Sequence, residues 1–240
     1  MTTKLFTVLL VLICGSMARL DFNAISRPLQ EEALDLNKII SGMTSRETES
    51  RAAFANYGYR CDLVIRSIKD GKATGEYRRT SEVALSKSEK LEEKTVSFPK
   101  SSLTELIVTP DDLEDISIKC MFPLETANAA KYKFTYIGKD RFEEAETYVF
   151  KVEPKVSLSR ECLYSGRVWA RVSDLRIVRM LGRSRRKTNQ QFPLLDRRRV
   201  EVGDYMFPSR ATADEKVVFT TGTVHVQMEV QYTGYVKLRS

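Results

Sequence analysis

His225 is the single histidine in this 240-residue chain, which leaves one imidazole as a candidate general base and excludes histidine-rich zinc sites. It lies in the run Thr223 to Tyr235, where Val224, Val226, Met228, Val230 and Tyr232 alternate with His225, Gln227, Glu229 and Gln231. A period of two places the histidine on the polar face of a strand. A Ser-His-Asp triad there would need partners that no local motif supplies, so the plainer reading is an exposed strand residue. Adjacent carboxylates occur at Asp111-Asp112, Glu114-Asp115 and Glu143-Glu144. None has the spacing of a calcium loop, and such pairs are normally a solvated face. No Walker or dinucleotide glycine pattern and no Cys-x-x-Cys is present. These residues predict no catalytic centre, no metal and no cofactor, and the chain is not read as an enzyme.

Charge is the more pointed signal. The chain carries a formal net charge of +7. Arg167, Arg171, Arg176, Arg179, Arg183, Arg185, Arg186 and Lys187 precede a second basic run at Arg197-Arg198-Arg199. Between Arg160 and Val200 only Glu161, Asp174 and Asp196 oppose them. Such a patch attracts polyanions, or, in the blander reading, it decorates a solvated loop.

The start of the chain bears on which polyanion. Lys4, the apolar run Leu5 to Ile13 and the small residues around Ser16-Met17-Ala18 make a leader over 1–18, cleaved on export. The apolar run is about half the ~20 residues a spanning helix needs. Cys14 invites a lipid-anchor reading, but Leu12 and Ile13 stand where a lipobox needs small residues. Outside the cytoplasm an anionic membrane surface or an envelope protein fits the patch, and nucleic acid does not. The mature chain keeps Cys61, Cys120 and Cys162, which allow one disulfide in three pairings, or three buried small apolar residues.

The remaining elements must position whatever site exists. Pro28, Leu29, Ala33, Leu36 and Ile40 have helical spacing up to Gly42, and a second helix is predicted from a capping box at Thr44 and Glu47. From Tyr57 the period changes to two, and Lys69-Asp70-Gly71-Lys72 reads as a tight hairpin. Pro99 to Asp115 reads as loop plus helical turns capped at Thr109-Pro110-Asp111-Asp112. Strands resume at Tyr132–Ile137, Thr147–Val152, Leu163–Val172, Leu175–Leu181, Arg197–Val202, Tyr205–Thr212, Lys216–Thr220 and Thr223–Tyr235. In the Cys162 to Arg183 hairpin, Tyr164, Val168, Ala170 and Val172 share one side and Arg167 and Arg171 the other. Strands with one apolar face predict a curved antiparallel sheet covered on one side. The predicted class is α+β, an unclosed half-barrel wrapped around N-terminal and lid helices, as one domain over 19–240.

Several segments carry a resemblance: Gly71 to Arg79, Thr109 to Ile116, Tyr136 to Lys139, Asp140 to Pro154, Gly166 to Trp169, Tyr205 to Asp214 and Val224 to Tyr235. Together they resemble a family of exported bacterial proteins that is similar to the outer-membrane lipoprotein-sorting carriers, the LolA/LolB-like fold. The resemblance spans roughly Phe54 to Leu238. It departs at the basic stretch Ser184 to Gln191 and at Met206, where a tryptophan is common. It implies a periplasmic, non-enzymatic protein whose apolar interior accepts a lipid or a lipoprotein acyl chain. Candidate lining residues are Tyr59, Leu63, Phe134, Tyr136, Phe150, Val226 and Met228. The alternative is a filled core in an interaction or envelope-sensing module.

Overall fold

Ten strands make one antiparallel sheet whose spatial order follows the chain, except that the first hairpin joins the last strand. The computed structural model describes residues 34–85, 91–116, 118–156, 161, 163–184, 193–219 and 222–238. The leader, the helical spacing before Leu34, Cys162 and the Arg185-Arg186-Lys187 triplet lie outside them. The strands are β1 (Tyr57–Lys69), β2 (Lys72–Leu85), β3 (Leu91–Ser97), β4 (Tyr132–Phe142) and β5 (Ala145–Pro154). They continue as β6 (Tyr164–Arg171), β7 (Ile177–Ser184), β8 (Leu195–Val202), β9 (Tyr205–Phe219) and β10 (Gly222–Lys237). The spatial order is β3-β2-β1-β10-β9-β8-β7-β6-β5-β4, so β3 and β4 are free edges and the sheet does not close. This is the predicted unclosed α+β half-barrel.

The β1–β2 hairpin turns where the sequence requires it, with Asp70 at φ 50° and Gly71 at φ 73°. Strand β9 runs unbroken where two strands were predicted. Ala213 and Glu215 pair with Met228 and Val226 of β10, so the ladder carries the weak strand formers Ala-Asp-Glu.

The helical prediction needs correction. Leu36–Phe54 is a single helix, α1, whose N-cap Asp35 accepts from the Lys38 amide at 3.0 Å. Gly42 does not stop it, because this glycine serves packing: a Cβ there would overlap the Leu175 side chain in the β6–β7 turn. Thr44 does not cap a second helix either, since its hydroxyl donates back to Ser41 O at 3.1 Å. Glu47 turns into the protein instead of closing a capping box. The start of α2 (Pro110–Asp115) matches its prediction, with a capping box between Thr109 and Asp112 and Pro110 in the first turn. Two single turns follow, α3 (Ile118–Met121) and α4 (Thr126–Ala129).

The concave face carries two apolar cores. Over β4–β7, Phe150, Val168, Ile177 and Met180 receive Ile39 and Met43 of α1. Over β1, β2, β9 and β10, Leu63, Val226, Val230 and Phe207 receive Phe54, Ile116 and Phe122. Between them, α1 meets β8 through Glu47 and Arg199, whose side chains are 0% and 3% exposed. Arg199 Nη1 donates to Glu47 Oε2, and Nη2 donates to Oε1 at 2.8 Å and to Met121 O at 3.0 Å. The guanidinium also lies 4.9 Å from the Phe122 ring centroid.

Removing one partner of such a pair strands a buried charge, at a cost of about 3–5 kcal/mol. Glu47→Ala is therefore expected to lower the unfolding free energy by about that amount in urea titrations. Glu47→Leu combined with Arg199→Met, which removes both charges, should recover most of the loss.

Candidate functional site

A cleft of about 260 Å³ opens on the concave face between the β1–β3 end of the sheet and α2. Its existence follows from register. Tyr59 pairs with Val83, Cys61 with Ser81 and Leu63 with Arg79. The middle pair is small against small, which hollows the floor between bulkier neighbours. Tyr232, beside Cys61 on β10, sets the height of the roof. Its buried hydroxyl donates to Ile116 O at 2.9 Å and props the end of α2 a tyrosine's length above the sheet. Leu113, Ile116 and Met121 form that roof. Arg79 and Glu93 stand on the sheet-side wall, joined at 3.1 Å, and Glu114 lines the helix side.

The segment leading to α2 crosses the sheet as a strap. At its start Ser102 N donates to Glu76 O at 2.9 Å, and Glu76 N donates to Ser102 Oγ at 2.9 Å. Gly75 permits this approach, because a Cβ there would sit 2.7 Å from Ser102 O. Further on, Leu106 and Val108 cover a smaller hollow of about 40 Å³ against Ile65, Val226 and Met228. A third, of about 20 Å³, lies under Ile116 and Met121 beside Arg197 and Ala211.

The predicted lining residues are thus divided by the structure. Tyr59 and Leu63 line the large cleft, and Val226 and Met228 line the small hollow. Phe134, Tyr136 and Phe150 belong to the other core, where Phe150 is fully buried and Tyr136 packs on it at 5.4 Å. Arg79, Val83 and Leu113 were not singled out from the sequence. The signal for the first two was the alternation of Tyr77, Arg79, Ser81 and Val83, legible only once β2 is registered on β1.

The arginines predicted as a basic patch have acidic neighbours brought by the sheet. Arg171 bonds Asp174 at 2.5 Å and Glu201 at 3.3 Å, and Arg176 bonds Glu201 at 2.8 Å. Arg179 forks onto Asp196 at 2.8 and 3.0 Å and lies 4.6 Å from the Trp169 ring. Arg183 bonds Glu215 at 2.9 Å, while Arg167 is exposed. Glu201 and Glu215 fall outside the sequence window that made the patch look unopposed.

His225 is joined through Nε2 to Asp214 Oδ1, and Gln227 Nε2 donates to Asp214 Oδ2 at 3.0 Å. The hydrogen bond from His225, then that from Gln227, holds the Asp214 carboxyl below the usual range. The Cys61 thiol is pushed up to about 12, first by burial and then by the nearby Glu93 charge. Burial likewise raises Tyr59 and Tyr232. The cleft floor is therefore uncharged at neutral pH.

No protein-family model matches the chain, and no curated protein matches it. Among solved structures, it is similar to a LolA superfamily protein from Nitrosomonas europaea, at 16% identity over 87% of this chain and 95% of the other, with a TM-score of 0.40. A DUF1329 family protein from Desulfovibrio piger is similar at 13% identity over 83% and 92%, with a TM-score of 0.43. A domain described as an outer membrane lipoprotein-sorting protein from Vibrio parahaemolyticus is similar at 11% identity over 82% and 92%, with a TM-score of 0.38. No residue role passes to this chain from likenesses of that size.

An unfolded thiol ionises near about 8.5, whereas folded Cys61 stays neutral toward 12. Its contribution to stability is complete below the unfolded value and is lost as pH rises through that window. Alkylation of Cys61 by iodoacetamide at about pH 8 should run at least tenfold slower than in urea-unfolded protein, as read by mass spectrometry. Equal rates would mean that the floor of the cleft is open to water.

Proposed function

We propose that this protein is a non-enzymatic carrier that holds the apolar part of a lipid or a lipoprotein acyl chain in the cleft beneath the strap. The observation that carries this reading is the placement of the hollows. Three hollows border the strap between Leu106 and Met121, whose roof is apolar at Leu113, Ile116 and Met121. Larger clefts of about 710 and 480 Å³ elsewhere are lined by charged groups such as Glu143, Glu201, Asp196 and Asp214. A ligand that slides under the strap displaces little packed core. Each buried methylene contributes about 0.8 kcal/mol, so a short length of chain is enough for useful affinity. Export to the periplasm belongs to the same proposal. It is supported by the leader pattern over 1–18 and by the disulfide-bonded state of Cys120, a bond that persists in oxidising compartments. Cys61 is free, which leaves a thiol in the cleft.

Native mass spectrometry of protein purified without detergent should show bound lipid, and titration with a fluorescent acyl probe should saturate at one site. Cys61→Phe, which fills the hollow, is expected to weaken the probe at least tenfold, about 1.4 kcal/mol. Cys61→Ala should leave the affinity nearly unchanged. A wild-type protein that takes up neither lipid nor probe would favour the interaction-module alternative.

A further inference from the structure

We infer that Arg79 selects the head of the bound chain, so that the cleft takes a single-chain amphiphile ending in a carboxylate, a long-chain fatty acid. This rests on the acyl-binding reading above and adds the class of ligand to it. Among the described residues that line the cleft, Arg79 is the only cation. The lining is otherwise apolar or neutral apart from Glu93 and Glu114, and the Cys61 thiol in the floor is un-ionised at neutral pH. Attraction at the sheet-side wall sets the direction of the chain, with its head at Arg79 and its tail beneath the apolar roof at Ile116 and Met121.

Arg79 already holds a carboxylate, but weakly. Its Nη2 donates to one oxygen of Glu93 at 3.1 Å, and its Nε donates to Thr95 Oγ1 at 3.2 Å. Glu93 sits on the edge strand β3 with its side chain 47% exposed, against 25% for Arg79. Ion pairs of that exposure contribute little to stability, because solvent screens them. A ligand carboxylate entering from the cleft would replace like with like. It could meet the planar guanidinium through both oxygens, the stronger, charge-assisted geometry, against walls that exclude more water. Releasing Glu93 costs little, because its carboxylate turns to solvent.

The test is displacement of the fluorescent acyl probe by hexadecanoate, hexadecanol and hexadecyl phosphate. Hexadecanoate should compete at least tenfold better than hexadecanol with the wild-type protein. Arg79→Gln should abolish that preference, and Glu93→Gln should strengthen hexadecanoate a few-fold by removing its rival. Equal competition by acid and alcohol, or a preference that survives Arg79→Gln, overturns the role of Arg79 and leaves the acyl cleft standing. Hexadecyl phosphate competing tenfold better than hexadecanoate overturns the carboxylate assignment. If no chain displaces the probe, the acyl reading and this inference fall together.

Discussion

The buried contact between Glu47 and Arg199 is the constraint on which the rest of this fold depends. An isolated charge in a protein interior is far costlier than any apolar contact nearby can offset. Neither residue can therefore occupy its place without the other, and the two lie far apart in the chain. Helix α1 must be formed, β8 must be paired in its register, and the two must meet at one height. Arg199 also donates to Met121 O, so the segment carrying α3 is drawn to the same point. One guanidinium thus ties the helix, the sheet and the end of the strap together. It also explains why the concave core is split. The pair stands at the seam, with Met43 and Met180 on one side and Phe54 and Phe122 on the other.

That seam gives the interior two unlike halves. Over β4–β7 the sheet is roofed by a full helix that settles close, because Gly42 lets it approach the β6–β7 turn. Over β1, β2 and β10, beyond the Phe54 end of α1, the roof is a strap with short helical turns, and these hollows follow it. A helix presents a continuous stripe of side chains that can interdigitate with a sheet, whereas a strap delivers one or two per turn of chain. The candidate binding site is the consequence of roofing half of a curved sheet with too little regular structure to fill it.

Much of this frame is legible in the sequence, and the failures have a common cause. The period of two, the Asp70-Gly71 turn and the Thr109–Asp112 cap are local, decided within a few residues, and they appear where predicted. Gly42, Glu47 and Arg199 read locally as a stop, a cap and part of a basic run. Each is instead set by a contact made through tertiary structure: the Leu175 side chain, the β8 arginine and the α1 glutamate. The same holds for the arginines of β6 and β7. Arg179 and Arg198 face each other directly across the ladder, a repulsive pairing on its own. Asp196 lies between them at 2.8 and 4.0 Å, and Phe142 and Trp169 supply ring faces. Charge counted along the chain could not anticipate charge paired across strands.

The way the strap is fastened decides how it can move. At its start it hydrogen-bonds to β2 at Glu76, beside the one residue there without a Cβ. At its far end Tyr232 holds Ile116 O, Arg199 holds Met121 O and Cys120 is disulfide-bonded. The middle, Leu103 to Leu113, is only partly buried against the core. Between these anchors Thr74 Oγ1 donates to Glu105 Oε2 at 3.3 Å, so the middle of the strap is also tied to β2. Lifting Leu106, Val108 and Leu113 off the sheet would expose apolar surface to water, an unfavourable change that an apolar guest beneath them would offset. The same side chains therefore roof the hollows and set the cost of opening them.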